Sequence, residues 1–122
     1  MARYVDGFVL PVPKKNVAAY VRMAKLCSKV FIDLGALRFR ECRGNDFKSP
    51  MGLTFPKLAK SKPGETVFFS WIEYKSRKHR DQVNAKVMKD PRLEKICGGQ
   101  AMPFDCTRMA YAGFEVAVAA DA

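Results

Sequence analysis

The feature that most constrains this chain is the order in which its hydrophobic period changes. Tyr4 to Val12 alternates and is rich in aromatic and β-branched residues, which predicts a strand ended by Pro11 and Pro13. From about Lys14 the spacing turns helical. Val17, Tyr20, Ala24, Cys27, Phe31 and Leu34 form one stripe, charged residues fill the other side, and Gly35 is placed to end the helix. Ala36 to Arg43 alternates again and stops at Gly44-Asn45-Asp46. Glu65 to Tyr74 is the strongest strand signal. Ser76 is a suitable N-cap for a second helix through about Lys89. Asp90-Pro91 caps a further short helix closed by Gly98-Gly99, and Arg108 to Val118 reads as the last strand. The resulting βαββαβ order predicts an α+β, ferredoxin-like domain: a four-stranded antiparallel sheet with helices on one face.

Residues 44–64 interrupt this order with Pro50, Gly52, Pro56 and Pro63-Gly64. Such a long irregular stretch is either functional or partly structured, with a turn of helix expected near Lys57–Lys60.

A length of 122 residues suits one domain over 1–122, and 48% hydrophobic content furnishes its core. The longest apolar runs, such as Val67–Phe69 and Val116–Val118, are far too short to span a bilayer. Asp6 sits where a secretory segment needs unbroken apolar sequence, so a cytoplasmic protein is expected. Cys27, Cys42, Cys97 and Cys106 form no closely spaced pair and His79 is the one histidine, which argues against a metal site and for four reduced, mostly buried thiols. No phosphate loop or other cofactor motif is present, so no cofactor is assigned. The net charge of +10 is concentrated in residues 1–60, where 12 Lys/Arg face 4 Asp/Glu. Charge alone sets only non-specific attraction, so it is weak support for a nucleic-acid partner.

Side-chain alternation sorts strand residues by face. Placing wholly apolar sets under the helices leaves the mixed sets on the open face. These are Tyr4, Asp6, Phe8 and Leu10; Val67, Phe69, Trp71 and Glu73; and Met109, Tyr111, Gly113 and Glu115, while the second strand is ambiguous, with Leu37, Phe39, Glu41 and Arg43 the better candidates. So many aromatics on one face imply a self-interface or a ligand site.

Tyr4-Val5-Asp6-Gly7-Phe8-Val9, Phe69-Ser70-Trp71-Ile72-Glu73-Tyr74, Met102-Pro103-Phe104-Asp105 and Gly113-Phe114-Glu115-Val116 resemble the YbaA-like family of small bacterial proteins. So do Asp81 to Met88 and Asp90-Pro91-Arg92, and the likeness covers nearly the whole chain. The family has unknown function and is similar in fold to the dimeric α/β barrels. The resemblance therefore implies a homodimer paired through its open sheet faces, and it implies no chemistry.

The candidate site residues come from that face. Asp6, Glu73 and Glu115 are placed as neighbouring carboxylates among Tyr4, Trp71 and Tyr111, where mutual repulsion and poor solvation suit a general acid or base. The alternative is that they pair with cations or backbone donors across the dimer interface. Arg80 and Arg108 are candidates to hold an anionic group of a small-molecule ligand. His79, beside Arg77, Lys78 and Arg80, is read as an exposed helix-start residue, and Cys106 as a buried, inert thiol. An RNA-binding sheet shares this element order, but Glu65 to Ile72 lacks the basic-Gly-aromatic opening of that motif, and Asp6 and Glu73 repel phosphate. A non-catalytic dimeric binding or regulatory module remains the alternative to a small-molecule site.

Overall fold

In a computed structural model, which describes residues 3–98 and 101–122, the chain forms β1 (Tyr4–Pro13), α1 (Val17–Asp33), β2 (Arg38–Arg43), α2 (Phe55–Ala59), β3 (Glu65–Tyr74), α3 (Arg77–Lys89), α4 (Pro91–Cys97) and β4 (Ala110–Glu115). One-turn 3-10 helices stand at Lys14–Asn16 and Cys106–Arg108. The four strands pair antiparallel in the order β2-β3-β1-β4, the ferredoxin-like arrangement.

Local chemistry sets most boundaries. Ser76 Oγ accepts from the His79 amide, and Asp90 Oδ1 accepts from that of Arg92, with Pro91 opening α4. Gly35 adopts φ 120 just past α1, a conformation an L side chain resists. Gly99, expected to help close α4, lies outside the described residues. Two boundaries differ from expectation. Pro11 does not end β1; it stands opposite Val67, and pairing continues to Pro13. β4 flanks β1 only from Tyr4 to Val9, so Pro11 needs no donor on that side. The last strand is shorter than Arg108–Val118, because Asp105 accepts from the Thr107 amide and turns Cys106–Arg108 into a 3-10 helix.

The larger correction concerns which face the helices cover. Across the sheet, Tyr4, Asp6, Phe8, Leu10 and Val12 oppose Tyr74, Ile72, Ser70, Phe68 and Thr66, while Phe8 and Asp6 oppose Tyr111 and Gly113. This set is the covered one. Leu10, Val12, Phe68, Ile72 and Tyr74 are buried, and they pack with Tyr20 and Val30 of α1 and Val83 and Val87 of α3. Phe39 and Glu41 of β2 share this face, opposite Ile72 and Ser70. The uncovered face carries Val5, Gly7 and Val9; Arg38, Arg40 and Cys42; Phe69, Trp71 and Glu73; and Ala110, Ala112 and Phe114. Only the β3 assignment matches the sequence parity. The rule that carboxylates face outward failed because Asp6 and Glu41 each find a hydrogen-bonded partner on the helix side, Arg80 and Tyr20.

Residues 44–64 are partly structured, as one of the two expectations had it. Thr54 Oγ1 caps α2, and Lys60 leaves it with φ 53. Phe55 then meets Phe69 edge-on at 6.0 Å, so α2 lies over one end of the uncovered face. Among the described residues no helix is long and apolar enough to cross a membrane.

Candidate functional site

The core is divided in two. One cluster gathers round Tyr74, Ile72 and Val30, the other round Leu10, Val12, Tyr20 and Phe68. Between them α1 presents small side chains, Ala24 and Cys27, toward the small Ser70 of β3. A pocket of about 190 Å³ results. Phe8, Phe31, Phe39 and Ile72 wall it, and Phe104 and Met109 border it from the segment that leads into β4. Tyr20 fixes that segment by an edge contact with Phe104 at 5.4 Å, while Asn16 Nδ2 donates to the Pro103 carbonyl.

Glu41 is the one carboxyl in this lining. Its Oε1 accepts from the Tyr20 hydroxyl at 2.9 Å. Among the described residues it forms no ion pair. Burial pushes its pKa above the ordinary carboxylate value, and the Tyr20 and Ser70 hydroxyls only partly reverse this. Burial followed by the Glu41 charge also drives the Tyr20 phenol upward, and burial raises the Cys27 thiol to about 11 with help from Cys97. Both groups are therefore protonated at neutral pH. The pocket thus offers apolar walls, hydroxyl and thiol groups, a carboxyl whose pKa is raised by burial, and Arg40 at its edge. Its volume is below the ~300–1,000 Å³ of drug-sized sites, and a cavity of ~150 Å³ holds one benzene ring. The sequence reading left Glu41 among open-face residues with Phe39, and only the register against Ile72 and Ser70 puts both on the covered side.

The residues singled out from the sequence separate into three places. Asp6, Tyr4, Arg80 and Tyr111 come together on the helix side. Arg80 Nη1 donates to Asp6 Oδ1 at 2.6 Å and to the Tyr111 hydroxyl at 3.0 Å, and its guanidinium lies over the Tyr4 ring at 4.9 Å. Tyr111 stacks on Phe8 at 5.0 Å. Burial opposes the Arg80 charge, but Asp81 and Asp6 more than restore it and raise its pKa. Arg80 is thereby committed to internal partners. Gly113 belongs to this arrangement, since a Cβ there would overlap the Tyr4 ring.

Glu73 and Trp71 lie on the uncovered face. Glu73 pairs with Arg38 at 3.1 Å and Arg3 at 3.5 Å, and Trp71 packs on Phe69 at 5.4 Å. Glu115 lies at the exposed end of β4 opposite Tyr4. The three carboxylates are therefore not neighbours, because Asp6 and Glu73 project from opposite faces of the sheet. Arg108 grips Glu65 through both Nη atoms at 2.7 and 2.8 Å and donates to the Lys60 carbonyl. It positions the start of β3. His79 is partly buried, its Nδ1 accepting from the Lys75 amide; burial, then Lys75 and Lys86, lower its pKa. Cys106 and Cys42 are exposed and Cys27 and Cys97 half-buried, all four free, so the expectation of mostly buried thiols does not hold. No group of three or more His, Cys, Asp or Glu gathers among the described residues.

Residues 3–106 match the family model described as "Protein of unknown function (DUF1428)". The chain is 44% identical over 113 residues to "Uncharacterized protein YbaA" of Escherichia coli K12, covering 93% of this chain and 95% of that protein. It has the same identity and coverage to the Shigella flexneri protein of that name. In fold it is similar to a dimeric ferredoxin-like protein from an uncultured marine organism, with a TM-score of 0.59, 11% identity, and coverage of 98% of this chain and 100% of the other. A second dimeric ferredoxin-like protein from an uncultured marine organism aligns with a TM-score of 0.53 at 8% identity, over 100% of this chain and 94% of that one.

Proposed function

The chain belongs to the DUF1428 family, whose function is unknown, and we propose from its own geometry that it is a homodimer holding one small-molecule pocket in each subunit, and from its sequence that it is cytoplasmic. The ligand is a small, neutral, largely apolar molecule, a single ring in size, with one polar group directed at Glu41. The observation that carries this reading is the pocket itself: a carboxyl with no ion pair among the described residues, held by the Tyr20 hydroxyl and set among apolar side chains. A part-buried carboxyl held by two hydroxyls and no cation is less stable in its charged form than one in water, a cost that binding a polar ligand group there offsets. Glu41 accepts a hydrogen bond when charged and donates one when protonated, so it orients a hydroxyl or carbonyl group and can exchange a proton with it.

Support for the dimer comes from the uncovered face. Phe69 and Phe114 are 42% and 55% exposed there, among Val5, Gly7, Val9 and Ala112. The Phe114 ring lies over Gly7, which leaves a low apolar surface with Arg38, Arg40 and Glu73 beside it. A second copy covers such a surface through the same residues on both sides, as two-fold pairing requires.

The test titrates phenol into isotopically labelled protein, with toluene and benzoate as comparators. Saturable shifts at Ala24, Glu41 and Ser70 for phenol, weaker binding of benzoate, and loss of binding in Ala24→Phe are expected. No saturable binding, or binding indifferent to Ala24→Phe, would sink the pocket reading. Sedimentation of Trp71→Arg checks the pairing separately: wild type should run as a dimer and the variant as a monomer, whereas a monomeric wild type overturns it.

A further inference from the structure

Helix α1 carries a second apolar stripe, of which only Met23 also borders the pocket. Ala19, Met23, Leu26 and Val30 follow one another at helical spacing and turn toward α4 and residues 101–103. With Ile96, Met102 and Pro103 opposite, they form a surface groove of about 710 Å³, within the size range of small-molecule sites. Leu26 is 55% exposed there, beside the half-exposed Met23, Ile96 and Met102, so the groove's apolar surface is contiguous.

The charge around this groove has one sign. Arg22, Lys29, Arg92 and Lys95 line it, and among the described residues no Asp or Glu does. Arg92 is engaged by Asp33 and Asp90. Arg22 and Lys29 form no ion pair among the described residues. Seven residues apart on one helix, they stand ~10 Å from each other along the groove. An occupant must therefore offer an apolar body for the floor and an anionic head for the rim.

We propose that this groove binds long-chain carboxylates, the acyl chain lying along Met23, Leu26 and Val30 and the headgroup taken by Arg22 or Lys29. An extended chain matches a floor built from one helical stripe, and a guanidinium or ammonium supplies the charge-assisted hydrogen bonds a carboxylate accepts. The net charge of +10 raises the local concentration of such anions.

The test is calorimetric titration of the full chain with dodecanoate below its micelle concentration, beside 1-dodecanol and dodecyltrimethylammonium. Dodecanoate should bind at least roughly tenfold tighter than 1-dodecanol, the difference a charge-assisted contact provides. Leu26→Asp should abolish its binding. The pair Arg22→Glu and Lys29→Glu should reverse the preference toward dodecyltrimethylammonium. All three positions are on the surface of α1, so circular dichroism should be unchanged. Ala24→Phe, which fills the interior pocket, should leave dodecanoate binding intact, and this separates the two sites. Absent binding, equal affinity for dodecanol, or indifference to Leu26→Asp overturns the proposal; so does binding of an acidic amphipathic peptide in place of dodecanoate.

Discussion

Replacing Arg80 with Met tests the electrostatic lock between α3 and the sheet. The Asp6 carboxylate is 2% exposed and the Arg80 side chain 12%, with 2.6 Å between Oδ1 and Nη1. Removing the cation strands a charge in the protein interior, which costs ~3–5 kcal/mol. The same side chain also pairs with Asp81, but that carboxylate is 61% exposed, and a pair of this kind contributes only ~0–1 kcal/mol. The Arg80→Met deficit is therefore assigned almost wholly to Asp6. Asp6→Leu should cost less, about 1–3 kcal/mol, because Arg80 keeps Tyr111 and Asp81 and stands nearer water. The double variant should recover to within about 1 kcal/mol of wild type, since an apolar pair can replace a buried ion pair with little loss. Urea unfolding of all four proteins at one fixed concentration measures this cycle, the concentration being held because self-association shifts apparent stability. A coupling of at least ~2 kcal/mol is expected. Additive single effects, or a cost of Arg80→Met below about 1 kcal/mol, would show that the lock is not what stabilises this face.

Three further outcomes follow from other contacts. The Arg108 guanidinium holds the Glu65 carboxyl at about 2 against an ordinary 4.5, so its contribution is complete above the ordinary value and disappears as pH falls through the lowered one. Arg108→Gln should accordingly be less stable than wild type at neutral pH, the gap closing in acid; unfolding midpoints across pH check it. Glu41 is shifted the other way, its favourable contribution present below the ordinary carboxylate value and lost as pH rises through the raised one. Glu41→Gln should flatten that loss and leave the neutral-pH protein at least as stable as wild type; destabilisation there would mean the charged carboxyl is well solvated. Gly113→Ala places a methyl group against Tyr4 and should cost about 1–3 kcal/mol by thermal unfolding, through overpacking.

Local signals carried far in this chain. Ser76 and Asp90 cap α3 and α4 as their side-chain chemistry requires, Gly35 ends α1, and β3 runs from Glu65 to Tyr74 as read. Each depends on neighbours within a few positions. Face assignment does not. In β1 both alternate sets contain large apolar residues, so pattern gives no sign of which set meets the helices. Asp6 was the apparent clue and pointed the wrong way, because Arg80, its partner, is 74 residues distant. The same applies to the groove on α1, whose far wall comes from α4 and residues 101–103.

Periodicity and caps, which are properties of short segments, thus determined the ferredoxin-like order of elements in this protein. Only the tertiary structure decided which side of the sheet became the core. A buried carboxylate is tolerated when a distant group compensates it, and no local pattern records that compensation. The same physics moved Glu41 from a surface expectation into the pocket, where the Tyr20 hydroxyl and apolar walls hold it.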